Sequence, residues 1–104
     1  MRAYVEYGLR DRGDGVLELK CAPEIEARVY TMGPNHGAYA HLGEVASDVL
    51  VVVGETSTSI DPVLGARIAE QLPRGRLEVL DGLGHFGPLQ DPDACVASIL
   101  RFAP

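Results

Sequence analysis

A sequence pattern that occurs twice, a strand followed by a loop and a helix, constrains the fold of this chain more than any other feature. An apolar, β-branched run at residues 49–53 ends at a glycine, and a hydroxyl-rich loop then leads to Asp61-Pro62 and a segment with an apolar helical face. Residues 77–80 repeat the strand, residues 82–87 the loop, and Asp91-Pro92 the helix start. The buried face of this last helix is expected to consist of Val96, Ile99 or Leu100, and Ala103. Aspartate suits the cap of a helix and proline its first position. The repeat predicts two right-handed β-α units of a parallel sheet, and therefore an α/β fold.

Two parallel strands do not close a core by themselves. The run at residues 49–53 has the composition of a strand buried on both faces, and parallel sheets are normally covered by structure on both sides. A chain of 104 residues holds at most one modest core. We therefore expect the sheet to be completed by another copy of this chain or by another chain.

The first part of the chain predicts helices. Apolar residues within 3–9 fit a short helix that leads into turn formers, and Pro23-Glu24 opens a second helix that residues 33–35 end. This gives a helical segment over residues 1–47 and a β-α-β-α part over residues 48–104.

Charge and hydropathy exclude several classes of function. The formal net charge is −6 and the arginines are scattered, so nucleic acids and anionic membranes are not expected partners. The apolar runs are far shorter than the roughly 18 residues of a membrane span, and no signal-peptide pattern opens the sequence. The prediction is a cytoplasmic protein with no membrane contact.

The cysteines and two short motifs suggest no cofactor or metal. Cys21 and Cys95 lack metal-type spacing and are expected to be reduced core residues. The glycines in residues 82–87 have the Gly-x-Gly-x-x-Gly spacing of dinucleotide-binding loops. The predicted helix begins several residues after them, and the sequence ends before the strand that would carry the acidic residue of that motif. The hydroxyls of residues 56–59 could hold a phosphate, although Asp61 at the helix start opposes it by charge.

His85 is the residue most suggestive of chemistry. It lies in Gly84-His85-Phe86-Gly87-Pro88, just beyond the second predicted strand, and reacting groups gather at the carboxyl ends of parallel strands. Imidazole changes its charge near neutral pH, which suits it to general-base catalysis. An exposed loop histidine without a function is the alternative interpretation.

The same residues carry a resemblance to a family. The strand at residues 49–53, its helix, the strand at 77–80, the Gly-His-Phe-x-Pro segment and the Asp91-Pro92 helix resemble the last two β-α units of the α/β-hydrolase fold. The match covers about residues 48–102. The residues before Asp48 resemble, more loosely, the end of the helical lid that such enzymes insert before their seventh strand.

The resemblance implies roles for four residues. His85 corresponds to the histidine that takes a proton from the nucleophile and returns it to the leaving group. Its partner acid commonly lies three residues after the glycine that ends the preceding strand, and this chain has Ser57 there. Glu55 and Asp61 flank that position and could substitute, although Asp61 has a structural reason as a helix cap.

The nucleophile of the family is missing from these residues. The Gly-x-Ser-x-Gly elbow occurs nowhere in the sequence, nor does a cysteine or aspartate equivalent, and the oxyanion-hole amides are absent with it. Two hypotheses follow. The chain supplies His85 to a serine hydrolase of small ester-type substrates and is inert without a missing N-terminal half, or it is a non-catalytic module that self-associates as a homodimer.

Overall fold

The computed structural model describes residues 2–33 and 37–103. By its internal contacts the chain divides into two units, Met1–Gly37 and Ala38–Pro104, and each is considered by itself. Of the residues expected to end the second helix, 34 and 35 lie outside the described part. The boundary after residue 47 stays a prediction.

The first unit combines helices with a small hairpin. Its elements are helix α1 (Arg2–Gly8), strands β1 (Leu9–Asp11) and β2 (Leu17–Leu19), and helix α2 (Pro23–Met32). The two helices were predicted from the sequence. The hairpin was not, because strands of three residues are too short to show an alternating pattern.

Local hydrogen bonds shape the hairpin turn. The carboxylate of Asp11 accepts from the backbone N–H of Gly13 at 2.7 Å, and that of Asp14 accepts from Val16 at 3.1 Å. Gly13 and Gly15 adopt φ of 86° and 81°, a region that favours glycine. The turn formers seen in the sequence therefore close a β-hairpin.

The second unit contains both predicted β-α units. Its elements are a 3₁₀ helix (Ala38–Glu44), β3 (Val49–Gly54), α3 (Pro62–Gln71), β4 (Gly75–Leu80), the short helix α4 (Gly87–Gln90) and α5 (Pro92–Phe102). Strands β3 and β4 pair in parallel, from Val49 opposite Gly75 to Gly54 opposite Leu80. The predicted partial α/β architecture is confirmed.

Both Asp-Pro dipeptides start helices as expected. The Asp61 carboxylate accepts from the N–H of Leu64 at 2.7 Å, and the Asp91 carboxylate accepts from Ala94 at 2.9 Å. Each side chain satisfies one of the amides that a first helical turn leaves unpaired. The structural role foreseen for Asp61 is thus present.

The core of the second unit is sparse. Within residues 37–103, the apolar side chains of Val53 and Leu72 are buried, each 7% exposed, whereas Val52 is 38% exposed. The apolar run of β3 is therefore not covered on both faces by this chain. The expectation of an incomplete core agrees with this burial.

Helix α5 presents a different face to the sheet from the one predicted. The predicted buried residues Val96, Ile99 and Leu100 are 51%, 58% and 69% exposed, and Ala103 is also exposed. The fully buried residue is Ser98, whose hydroxyl donates to the Glu78 carboxylate at 2.6 Å. This polar bond to β4 fixes the rotation of α5, so hydrophobic periodicity gave the wrong face.

Glu78 gives stability a dependence on pH. The hydroxyl of Ser98, and then the guanidinium of Arg101, hold the pKa of Glu78 below its usual value of 4.5. The stabilisation is therefore complete above that value and is lost as the pH falls through the lowered pKa. We expect Glu78→Gln to flatten the fall in melting temperature below pH 4.5. Thermal unfolding between pH 3 and 7 measures this.

A neighbouring glutamate provides the control for that measurement. Glu70 is exposed on α3, and Glu70→Gln should leave the acid limb of the melting curve unchanged. Equal flattening in both variants would contradict the role assigned to the Ser98–Glu78–Arg101 contacts.

The structure tests the prediction that both cysteines are core residues. Cys21 is exposed, so the prediction that it is a core residue is wrong; Cys95 is half-buried, and both thiols are free. Cys21 lies between the hairpin and α2, where little packs against it.

The helices over residues 2–33 and 37–103 include none with the length and hydropathy needed to span a bilayer.

Candidate functional site

The loops after β3 and β4 are tied together at the carboxyl edge of the sheet. The carbonyl oxygen of Leu83 accepts from the backbone N–H of Thr56 at 2.9 Å and from the Thr56 hydroxyl at 3.0 Å. The N–H of Glu55 donates to Leu80 at 3.0 Å, which extends the strand pairing by one step. The loop that carries His85 is thereby anchored to the loop after β3.

Glu55 holds the backbone of the histidine loop. Its carboxylate accepts from the N–H of Gly82 at 2.8 Å, and Gly82 has φ of +67°, where glycine is favoured. Glu55 therefore contacts the histidine loop at the backbone of Gly82, three residues before His85. Its role as the partner acid stays a prediction.

His85 lies on the turn between β4 and α4. Its side chain is exposed, and its ring meets the edge of the Phe86 ring with centroids 5.3 Å apart. The amide oxygen of Gln90 accepts from the N–H of Gly84 at 2.8 Å, just before the histidine. This bond fixes the backbone from which the imidazole projects.

A cavity of about 220 Å³ lies beside this turn. Its walls are mostly apolar and come from β3, β4, the loops after them, α4 and α5: Val52, Val53, Gly54, Ser57, Ile60, Leu80, Leu83, Gly84, His85, Gly87, Pro88 and Cys95. Two predicted site residues, His85 and Ser57, share it. Neither Glu55 nor Asp61 belongs to its walls.

Ser57 is the polar residue buried at this cavity. Its side chain is 6% exposed, and its hydroxyl has no hydrogen-bond partner among the residues that the structure describes. Its backbone N–H donates to Gly54 at 3.1 Å, which closes a tight turn directly after β3. The residue at the expected acid position is thus brought to the same cavity as His85, with its hydrogen-bonding capacity unused.

The structure separates the two candidate acids from that cavity. Asp61 caps α3, and Glu55 bonds to the Gly82 amide. The phosphate site considered for the hydroxyls of residues 56–59 would lie at the start of α3, where the Asp61 carboxylate is placed. The Thr56 hydroxyl already donates to the carbonyl oxygen of Leu83. The polar contacts of Glu55 and Thr56 therefore hold the loop after β3 against the loop after β4.

Sequence reasoning missed three residues of the site. Gln90 orients the histidine turn from six residues away, and no motif marks it. Ile60 and Cys95 contribute cavity walls from a loop and from α5. A glutamine two residues after the Gly-His-Phe-x-Pro segment is the signal that could have indicated the first of them.

Within the described residues, no group of three histidine, cysteine or acidic side chains is arranged to hold a metal ion. At the cavity, His85 brings an imidazole, a group suited to acid–base chemistry, and Ser57 brings a hydroxyl. The sequence contains no elbow serine to place a nucleophile beside them.

Comparisons with known proteins concern the fold of the chain. No family model and no curated protein matches the chain. One similar solved structure is an E-2-(acetamidomethylene)succinate hydrolase, with TM-score 0.81 and 23% identity over 97% of this chain. Another, from Mycobacterium tuberculosis H37Rv, is described as a non-heme bromoperoxidase, with TM-score 0.56 and 31% identity over 59% of this chain.

This chain spans 37% of the first of these proteins and 23% of the second. Both have the α/β-hydrolase fold. The parallel β3–β4 pair and the helices that follow each strand agree with that fold. The chain therefore has a partial α/β-hydrolase fold.

Proposed function

We propose that this chain supplies the general-base histidine of an α/β-hydrolase that acts on small ester-type or related acyl substrates. The observation that carries the proposal is the position of His85, on an anchored turn at the carboxyl edge of a parallel strand pair. An imidazole there accepts the proton of a nucleophile and returns it to the leaving group. Because the sequence has no nucleophile elbow, the chain alone is inert in this proposal.

In this proposal, the rest of the hydrolase adds a strand to the edge of β3 that does not pair with β4. Strand β4 carries Arg76 and Glu78, and charges on a strand discourage further pairing at a sheet edge. Strand β3 has no charged residue, and within the described residues its one partner is β4. A strand at this edge would satisfy the free backbone groups of β3 and begin to cover its apolar face.

The second candidate is a non-catalytic module that associates with a copy of itself. The exposed apolar residues Val96, Ile99 and Leu100 on α5 favour it, since such side chains are covered when two copies pack together. Measurement of the mass in solution separates the two candidates. A folded homodimer whose contact covers these α5 residues would favour this module.

A chimera tests the catalytic proposal. Residues 38–103 replace the structurally matched segment of the hydrolase that gave TM-score 0.81. We expect the chimera to react with a fluorophosphonate probe and to hydrolyse 4-nitrophenyl acetate, because the host supplies an elbow serine and its oxyanion hole. The isolated chain should do neither.

Circular dichroism of the chimera establishes that it is folded before turnover is compared. Labelling of the isolated chain by the probe would contradict the claim that these residues hold no activated nucleophile. A folded chimera that neither reacts with the probe nor turns over the ester would contradict the general-base role.

A further inference from the structure

The peptide group between Leu83 and Gly84 is held at both of its ends. Its carbonyl oxygen accepts from the backbone N–H and the hydroxyl of Thr56, at 2.9 and 3.0 Å, and its N–H donates to the amide oxygen of Gln90 at 2.8 Å. A Cβ atom at Gly84 would lie 3.4 Å from that amide oxygen and 3.7 Å from the Thr56 hydroxyl oxygen, so both side chains flank the same peptide closely. This peptide lies one residue before His85 on the chain.

The imidazole of His85 depends on its backbone for its position. Among the described residues, its ring contacts the ring of Phe86 and makes no hydrogen bond. The two acids considered as its partner are engaged elsewhere, since Glu55 bonds to the Gly82 amide and Asp61 caps α3. The orientation of the backbone before the histidine therefore decides where the ring can reach.

The Gln90 side chain is mounted on a backbone that is itself held. The N–H of Gln90 donates to the carbonyl oxygen of Phe86 at 3.1 Å, and the next residue, Asp91, caps α5. Because the Gly84 N–H is a donor, the amide oxygen of Gln90 must face it, and a carboxylate could do the same.

We infer that Thr56 and Gln90 are positioning residues of the general base, which act by fixing the Leu83–Gly84 peptide between them. The inference rests on the proposed role of His85. A displacement of about 1 Å at a reacting group can cost on the order of 10² in rate, so a loosened peptide should lower turnover without weakening substrate binding.

Paired variants of Gln90 test the mount in the complete 104-residue chain. Gln90→Met keeps the length of the side chain but removes the strong acceptor, and we expect hydrogen exchange of the Gly84 amide to accelerate at least about tenfold. The order parameter of the His85 amide should fall from about 0.85 to below about 0.7 by ¹⁵N relaxation. Gln90→Glu retains an acceptor and should restore both values.

The matched control is Gln71→Met, at an exposed glutamine of α3. It should leave the Gly84 and His85 amides unchanged, and melting temperatures of all variants are measured alongside. Unchanged exchange at Gly84 in Gln90→Met, or equal effects of Gln90→Met and Gln90→Glu, would overturn the inference.

The same comparison applies to the other end of the peptide. Thr56→Val keeps the shape of the side chain and removes the hydroxyl, whereas Thr56→Ser keeps the hydroxyl. The effect of Thr56→Val should be smaller, because the Thr56 backbone N–H still donates to Leu83. Thr58→Val, at an exposed threonine of the same loop, is the control.

Kinetics in the folded hydrolase chimera connect the mount to catalysis. Gln90→Met should lower kcat for 4-nitrophenyl acetate about tenfold and Thr56→Val about threefold, each with KM within about twofold of the parent. Gln90→Glu and Thr56→Ser should recover most of the loss. Equal kcat in the parent and Gln90→Met, or a loss that Gln90→Glu does not recover, would overturn the inference.

The outcomes separate this inference from the proposed function. An active parent chimera that is insensitive to Gln90→Met refutes the positioning role alone. A folded parent chimera without turnover refutes the general-base role, and the positioning role with it.

Discussion

His85→Gln in the hydrolase chimera is expected to lower kcat for 4-nitrophenyl acetate by about 10²–10⁴-fold, with a much smaller change in KM. Glutamine keeps a polar side chain of similar reach but cannot take a proton from the elbow serine at neutral pH. Without that transfer the serine hydroxyl is a weak nucleophile, and water that attacks the acyl-enzyme also lacks its base. Steady-state kinetics of the folded variant measure the effect.

His41 provides the matched control. It is an exposed histidine on the 3₁₀ helix, and its ring bonds to the Glu44 carboxylate at 2.8 Å, within that helix. His41→Gln in the same chimera should keep kcat within about twofold, because surface substitutions outside special features have small effects. Similar losses in the two variants, or a His85 variant within tenfold of the parent, would exclude His85 as the general base.

Gly54→Ala should destabilise the second unit by about 3 kcal/mol or more, a fall in melting temperature of about 12–24 °C. A Cβ atom at Gly54 would lie 2.7 Å from the carbonyl carbon of Leu83 and closer still to the carbonyl oxygens of Leu83 and Gly84. These are backbone atoms, so no side chain can rotate away. The loops after β3 and β4 would have to separate.

The control for this substitution is Gly43→Ala. A Cβ atom there meets nothing nearer than the backbone oxygen of Gln71 at 3.9 Å, an ordinary contact. Its melting temperature should stay within about 3 °C of the parent, as expected for an exposed position. Equal stability of the two variants would show that the loops after β3 and β4 are not packed as described.

Prediction from sequence succeeded where local chemistry determines the structure. The β-branched run of β3, the Asp-Pro starts of α3 and α5 and the glycines between them each specify an element through nearby residues. The resemblance of the Gly-His-Phe-x-Pro segment then gave the correct fold, because two β-α units in succession leave few topologies. His85 was placed correctly at the end of a strand for the same reason.

Prediction failed where distant contacts decide. The buried face of α5 includes Ser98, which bonds to Glu78 on β4, and the cavity beside His85 depends on residues from six segments. The engagement of Glu55 with Gly82 joins residues 27 positions apart. A pattern read along one segment contains no information about such pairs, so the roles of Glu55, Asp61 and Ser57 could be proposed but not ranked.

The free edge of β3 also has a consequence for the behaviour of the chain in a cell. A strand with the sequence Val49-Leu50-Val51-Val52-Val53 has high β-propensity and no charge, the composition that templates amyloid-like stacking when left unpaired. The net charge of −6 opposes such stacking between copies, and salt weakens that opposition. Newly synthesised chains would therefore depend on rapid assembly or on a chaperone to avoid aggregation.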